Sequence, residues 1–109
     1  MMGLDLVAYK EYKDGENILA DNDAFVGTES LVRNTDDLNS IRGKQYYWTV
    51  LDIANVSLYT EMINNTVIRH IADSLEEYKK YQRDSQELND LTKWFRVCAD
   101  NGFYVGGSW

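Results

Sequence analysis

At 109 residues the chain holds material for one domain and leaves no room for a second core. Hydrophobic residues make up 44% and charged residues 27%, a globular balance that argues against disorder along the whole chain. Acids outnumber bases 18 to 11, and the net charge of -7 rules out a chain-wide electrostatic footprint for DNA or RNA.

A single cysteine, Cys98, forbids an internal disulfide framework and suits a reducing compartment. A single histidine, His70, leaves no basis for a His-rich metal site or a catalytic triad. No apolar run approaches a membrane span. Asp5 interrupts the first apolar stretch, so the opening residues do not read as a secretory signal. These absences suggest a cytoplasmic location with no membrane partner.

In chain order, Leu4, Leu6 and Ala8 alternate with Asp5, Val7 and Tyr9, which predicts a strand over 4–9. Both faces are partly apolar, so this strand belongs in the middle of a sheet. Residues 11–37 then hold eight acids against Lys13 and Arg33, a net of -6, while the rest of the chain nets -1. Gly15, Asn17, Asn22, Gly27 and Asn34 punctuate this segment. It reads as an acidic, loop-rich stretch with one short strand at most, burying little.

Thr35 followed by Asp36 and Asp37 resembles a capped helix start, and Gly43 a helix stop, giving one or two helical turns over 36–42. The run Lys44-Gln45-Tyr46-Tyr47-Trp48-Thr49-Val50-Leu51 is aromatic and β-branched and predicts a strand, with a helix from Tyr46 as the other reading. Residues 52–64 show no period. Val67, Ile68, Ile71, Ala72, Leu75 and Tyr78 form a helical stripe after a cap at Asn65 or Thr66, with Glu76 and Lys80 spaced to pair. Asp84 and Glu87 resemble a capping box, and Leu88, Leu91, Trp94, Phe95, Cys98 and Ala99 mark the face of a second helix, about two residues after the first. Asn101-Gly102 ends it, Phe103–Val105 is a short strand, and residues 106–109 read as a flexible tail. The expected fold is α+β: a small antiparallel sheet packed on one face by a C-terminal antiparallel helix pair, as one domain over 1–109.

Catalytic chemistry finds little support. His70 borders an apolar helix face and Cys98 continues one, so both read as structural. Eighteen acids make chance carboxylate pairs inevitable, and the glycines lack the lysine and helix of a phosphate loop. Asp21-Asn22-Asp23 resembles the opening of a calcium loop, but Phe25 stands where a further ligand belongs. No cofactor and no metal are implied, and the chain reads as non-enzymatic, a small acid-based hydrolase being the third-ranked alternative. Two binding surfaces remain. One is an acidic patch of Asp14, Glu16, Asp21, Asp23, Asp36 and Asp37, which suits a host protein with a basic surface. The other is an aromatic contact of Tyr46, Tyr47, Trp48 and Trp109, which suits self-association as a homodimer or a structural accessory role.

Met2-Gly3-Leu4-Asp5-Leu6-Val7-Ala8-Tyr9 resembles the start of small "MGLD"-type proteins of bacteria and their phages. Trp94-Phe95-Arg96-Val97-Cys98-Ala99-Asp100-Asn101-Gly102-Phe103-Tyr104-Val105 is similar to their ending, and Leu58 to Leu75 resembles them more loosely. The resemblance carries over no catalytic residues. It implies a phage-type protein in the cytoplasm of a bacterial host cell, and with the acidic segment it suggests an inhibitor of a host defence complex, in the manner of anti-CRISPR proteins.

Overall fold

A computed structural model describes residues 4–31, 37–81 and 85–109. The elements in order are β1 (Asp5–Lys13), β2 (Glu16–Leu19), 3-10 turns at Asn22–Phe25 and Glu29–Leu31, β3 (Ser40–Arg42), α1 (Lys44–Ala54), β4 (Met62–Ile63), α2 (Asn65–Lys79), α3 (Gln86–Asp100) and β5 (Tyr104–Ser108). The strands form one antiparallel sheet in the order β2-β1-β5-β4, with β3 beside the first half of β1. The fold is α+β, and α2 and α3 pack together against the sheet.

β1 is central, as its two apolar faces predict. Leu4, Leu6 and Ala8 are buried, while Asp5, Val7 and Tyr9 are half-covered. The strand runs past Tyr9 to Lys13 because Asp14-Gly15 turns it back onto β2. Both turn residues have positive φ, 54° and 81°, the conformation of a two-residue type I′ hairpin that twists with its strands.

The acidic segment is better anchored than its composition suggests. Ala20, Phe25, Thr28 and Leu31 are all buried, and the Phe25 ring stacks on Trp94 at 5.1 Å. The buried Asp90 of α3 accepts from the Ser30 N–H at 3.2 Å and from Gln86 Nε2 at 2.7 Å. The buried Asn39 donates to the Ala20 carbonyl at 2.7 Å, and its own carbonyl accepts from the Ala8 N–H. That backbone bond starts the pairing of β3 with β1, which replaces the helix expected over 36–42. Leu6 pairs with Ile41, so Ile41 reaches the core only as part of a strand. Thr35 and Asp36, the expected cap, lie outside the described residues.

Gly43 begins a helix rather than ending one. Its φ of 149° suits glycine, and α1 runs on through the stretch expected as a strand. Tyr46, Val50 and Ala54, each four residues apart, are the buried line of α1. The alternative reading of helix from Tyr46 is therefore the observed one, beginning two residues earlier at Lys44. Tertiary burial of this line overrides the β propensity of the individual residues.

The last two helices bury the stripes their periodicity predicts, with Ile68, Ile71, Ala72 and Leu75 facing Leu91, Trp94, Phe95, Cys98 and Ala99. Their caps are Asn64, which accepts from the Val67 N–H, and Ser85, which accepts from the Leu88 N–H. Each cap lies one residue away from the nearest position expected, and Asp84 itself lies outside the described residues. The connection is longer than two residues, since α2 ends at Lys79 and α3 opens at Gln86. Glu76 pairs with Arg96 across the helices, not with Lys80, which takes Glu77 at 3.0 Å. Asn65 locks the antiparallel arrangement by donating to the carbonyls of Cys98, Ala99 and Phe103. The Phe103 N–H returns to the Cys98 carbonyl and the Gly102 N–H to Ala99, a Schellman ending on a Gly102 φ of 70°.

The tail expected to be flexible is a strand up to Ser108. Gly106 and Gly107 pair with Val7 and Leu6 on one side, and Gly106 pairs with Met62 on the other. Glycine at 107 serves close approach of the neighbouring loop.

Candidate functional site

Two surfaces stand out, and they lie at opposite ends of β1. At the start of β1 is a row of aromatic rings. α1 presents Lys44, Trp48 and Asp52 on one exposed face, four residues apart. The half-buried Tyr47 meets Trp48 edge-to-face at 4.9 Å and 65°. Tyr59 meets Tyr47 at 4.6 Å and 70°, and Trp109 meets Tyr59 at 5.5 Å and 80°. These are favourable aromatic geometries. Yet Trp48 remains 58% and Trp109 53% exposed. Each indole thus forgoes about 3 kcal/mol of available burial.

Four local devices bring these rings together. Asn55, with φ 58°, ends α1 in the left-handed region and turns the chain. His70 Nε2 donates to the last α1 carbonyl, Ala54, at 2.9 Å. Leu58 is fully buried, and the neighbouring Tyr59 N–H donates to Ser57 Oγ at 3.2 Å, so the loop is pinned on both sides of the ring. Gly107 lets that loop lie against β5: a Cβ there would come within 2.7 Å of the Thr60 carbonyl oxygen and 3.0 Å of that of Leu58. The Gly107 N–H also donates to Glu61 at 3.3 Å.

Of the aromatic residues expected at a contact, the structure joins Tyr47, Trp48 and Trp109. Tyr46 stands apart at 1% exposed, facing the core. Tyr59 is the member that sequence reasoning missed. It lies in the stretch without periodicity, and nothing in its neighbours marks it.

At the other end of β1, roughly 26 Å away along the strand, Asp14 and Glu16 are exposed at the tip of the hairpin. Asp21, Asp23 and Asp37 group instead around the first 3-10 turn, roughly 15 Å from Glu16 along the chain. Several acids there are engaged. Asp21 lies 3.5 Å from Lys10 Nζ, Asp37 accepts from Asn22 Nδ2 at 3.4 Å, and Glu29 accepts from the Gly27 N–H through both oxygens. Asp36 lies outside the described residues. Tyr104 braces the hairpin, with its hydroxyl 3.0 Å from the Glu11 carbonyl oxygen and 2.6 Å from Asn17 Oδ1. Desolvation first, then the neighbouring Tyr9, Tyr12 and Glu11, raises the Tyr104 pKa.

A third feature is a cleft of about 290 Å³ where α1 meets the ends of the helix pair. Tyr46, Asp52, Tyr78, Ser85 and Glu87 line it. Ser85 Oγ is occupied as a helix cap. Among the described residues its lining has two carboxylates and no lysine, histidine or cysteine beside them. Cys98 is buried, and burial pushes its thiol well above the usual range, away from thiolate chemistry. Arg96 donates to the Glu76 and Asp73 carboxylates, which hold it charged as a clamp between α2 and α3. Among the described residues, no three His, Cys, Asp or Glu side chains gather to hold a metal ion. Nor, among them, is any helix long and apolar enough to cross a membrane.

Comparison with protein families, curated proteins and solved structures finds no match for this chain.

Proposed function

We propose that this protein is a non-catalytic protein-binding module whose contact face is the row Trp48, Tyr47, Tyr59 and Trp109. The observation that carries the reading is the pair of indoles, each more than half exposed while held edge-to-face with tyrosines. Tryptophan and tyrosine are the residues that dominate binding energy at interfaces, because they bury large area with few rotamers to lose. A rigid exposed cluster meets both requirements before the partner arrives.

A second reading rests on Asp14 and Glu16, exposed together at the tip of the braced hairpin. In that reading the acidic end docks on a basic host surface, and its narrowest form is an inhibitor of a phage-defence complex that occupies a channel meant for nucleic acid. The dispersal of Asp21, Asp23 and Asp37 away from the tip makes this the weaker of the two.

One experiment separates them. Tagged protein is used to capture partners from bacterial lysate at low and high salt, with mass spectrometry of the eluate. The wild type is compared with a Trp48→Ala/Trp109→Ala double variant and a four-site neutralised variant at Asp14, Glu16, Asp21 and Asp23. The aromatic reading expects a stoichiometric partner that survives high salt and is lost only in the double variant. Loss in the neutralised variant, with capture fading as salt rises, would hand the function to the acidic end.

A further inference from the structure

We infer that the aromatic row takes a proline-rich segment of a partner protein in the polyproline II conformation, with basic residues flanking the prolines; this rests on the module reading above. The three centroid steps limit the row to about 15 Å. That length matches roughly five residues of polyproline II at ~3.1 Å per residue. Successive rings meet at 65°, 70° and 80°, so the surface is a series of ridges and notches rather than a flat platform. Aromatic notches of this kind receive prolines.

The polar ends of the row suit the same occupant. Among the described residues no hydrogen bond engages the indole N–H of Trp48 or Trp109, or the hydroxyls of Tyr47 and Tyr59. A polyproline II backbone makes no internal hydrogen bonds, so its carbonyls accept from such donors.

The two indoles by themselves do not make up a globular interface. The two indoles leave open roughly 270 Å², against ~800 Å² per partner in a stable protein interface. A short row of rings suits a segment that loses little entropy on ordering, which is the property of a proline-rich chain. The protein itself contains no proline, so a second copy cannot supply the segment. Charge sets the flanks. The exposed Asp52 lies one turn after Trp48 and the exposed Glu61 two residues after Tyr59. Lys44, one turn before Trp48, marks the end where the basic flank does not belong.

The test is selection of binders by the full chain from a displayed random dodecapeptide library. The Trp48→Ala/Trp109→Ala variant is run in parallel, after its melting temperature is shown to match the wild type. The expected result is enrichment of peptides with two or more spaced prolines and a nearby Arg or Lys, absent from the variant. A recovered peptide should bind with a dissociation constant on the order of 100 µM, read by tryptophan fluorescence, and replacing its prolines by alanine should weaken it at least tenfold. No proline enrichment over bare beads, or recovery of the same peptides by the variant, overturns the inference. So does light scattering that shows a wild-type dimer lost in the variant, which would make a second copy the occupant. If proline enrichment fails while lysate capture still depends on Trp48 and Trp109, only the occupant is wrong. If both fail, the module reading falls with it.

Discussion

The two ends of β1 are built in opposite ways. At the hairpin end, acids that crowd together in sequence are spread through space: Asp14 and Glu16 sit on the turn, and Asp21 and Asp23 sit at a 3-10 turn one strand length away. At the other end, rings from positions 47, 48, 59 and 109 converge from three separate stretches of chain. Like charges gain by separating, and a strand at ~3.3 Å per residue separates them quickly. Aromatic rings gain by meeting, and the tertiary fold supplies the meeting point. Clustering in sequence is thus a poor guide to clustering on the surface, in both directions.

The largest expected effect tests whether the acidic segment truly belongs to the core. Phe25→Ala should cost about 3–5 kcal/mol, measured by urea unfolding, because the ring is fully buried against Trp94. A cost below ~1 kcal/mol would mean that the segment is not pinned, and the contrast between the two ends would collapse.

Gly107→Ala should cost about 1–3 kcal/mol, since the new methyl meets backbone oxygens of Thr60 and Leu58 rather than a flexible side chain. It should also pull Tyr59 from Trp109, visible as lost ring-to-ring NMR cross-peaks. Unchanged cross-peaks would show that the loop does not depend on this close approach.

Burial beneath both ends predicts a pH dependence. The unfolded Cys98 thiol releases its proton above its ordinary value of 9.0, whereas burial keeps the folded thiol protonated. The unfolded state then binds fewer protons, so stability falls as pH rises past 9, by about 1 kcal/mol between pH 8 and 10. Urea melts of Cys98→Ala should lack this component. An equal slope in both proteins would refute it.

Tyr104→Phe should cost about 0.5–1.5 kcal/mol by removing the hydroxyl that reaches Glu11 and Asn17. Faster amide exchange confined to β2 and the turn would confirm that the brace is local. The smallest effect is expected from Asp14→Asn with Glu16→Gln, within about 0.5 kcal/mol of wild type by thermal melting. A larger gain in stability would show that charge repulsion strains the hairpin.

Several features were legible without coordinates because they are local or periodic. The alternation of Leu4, Leu6 and Ala8, the stripes of α2 and α3 and the Asn101-Gly102 stop each carry their own signal over a few residues. The Asp14-Gly15 hairpin was missed: its dipeptide marks a turn, but the charge around it makes the stretch read as loop, and the expected strand stops at Tyr9 rather than Lys13. The errors fell where a segment's conformation is chosen by what it packs on. Ser40–Arg42 is a strand because β1 offers an open edge beside it, despite good helix-capping letters before it. Lys44–Ala54 is a helix because Tyr46, Val50 and Ala54 need one buried line. The glycines at 106 and 107 read as a loose end, but β1 and the Leu58–Thr60 loop close on them from both sides. The sequence alone determined the fold class, the two C-terminal helices and the central strand, since period and capping act within one segment. Tertiary structure alone decided the aromatic row, because contact between residues 48, 59 and 109 exists only once separate segments have packed.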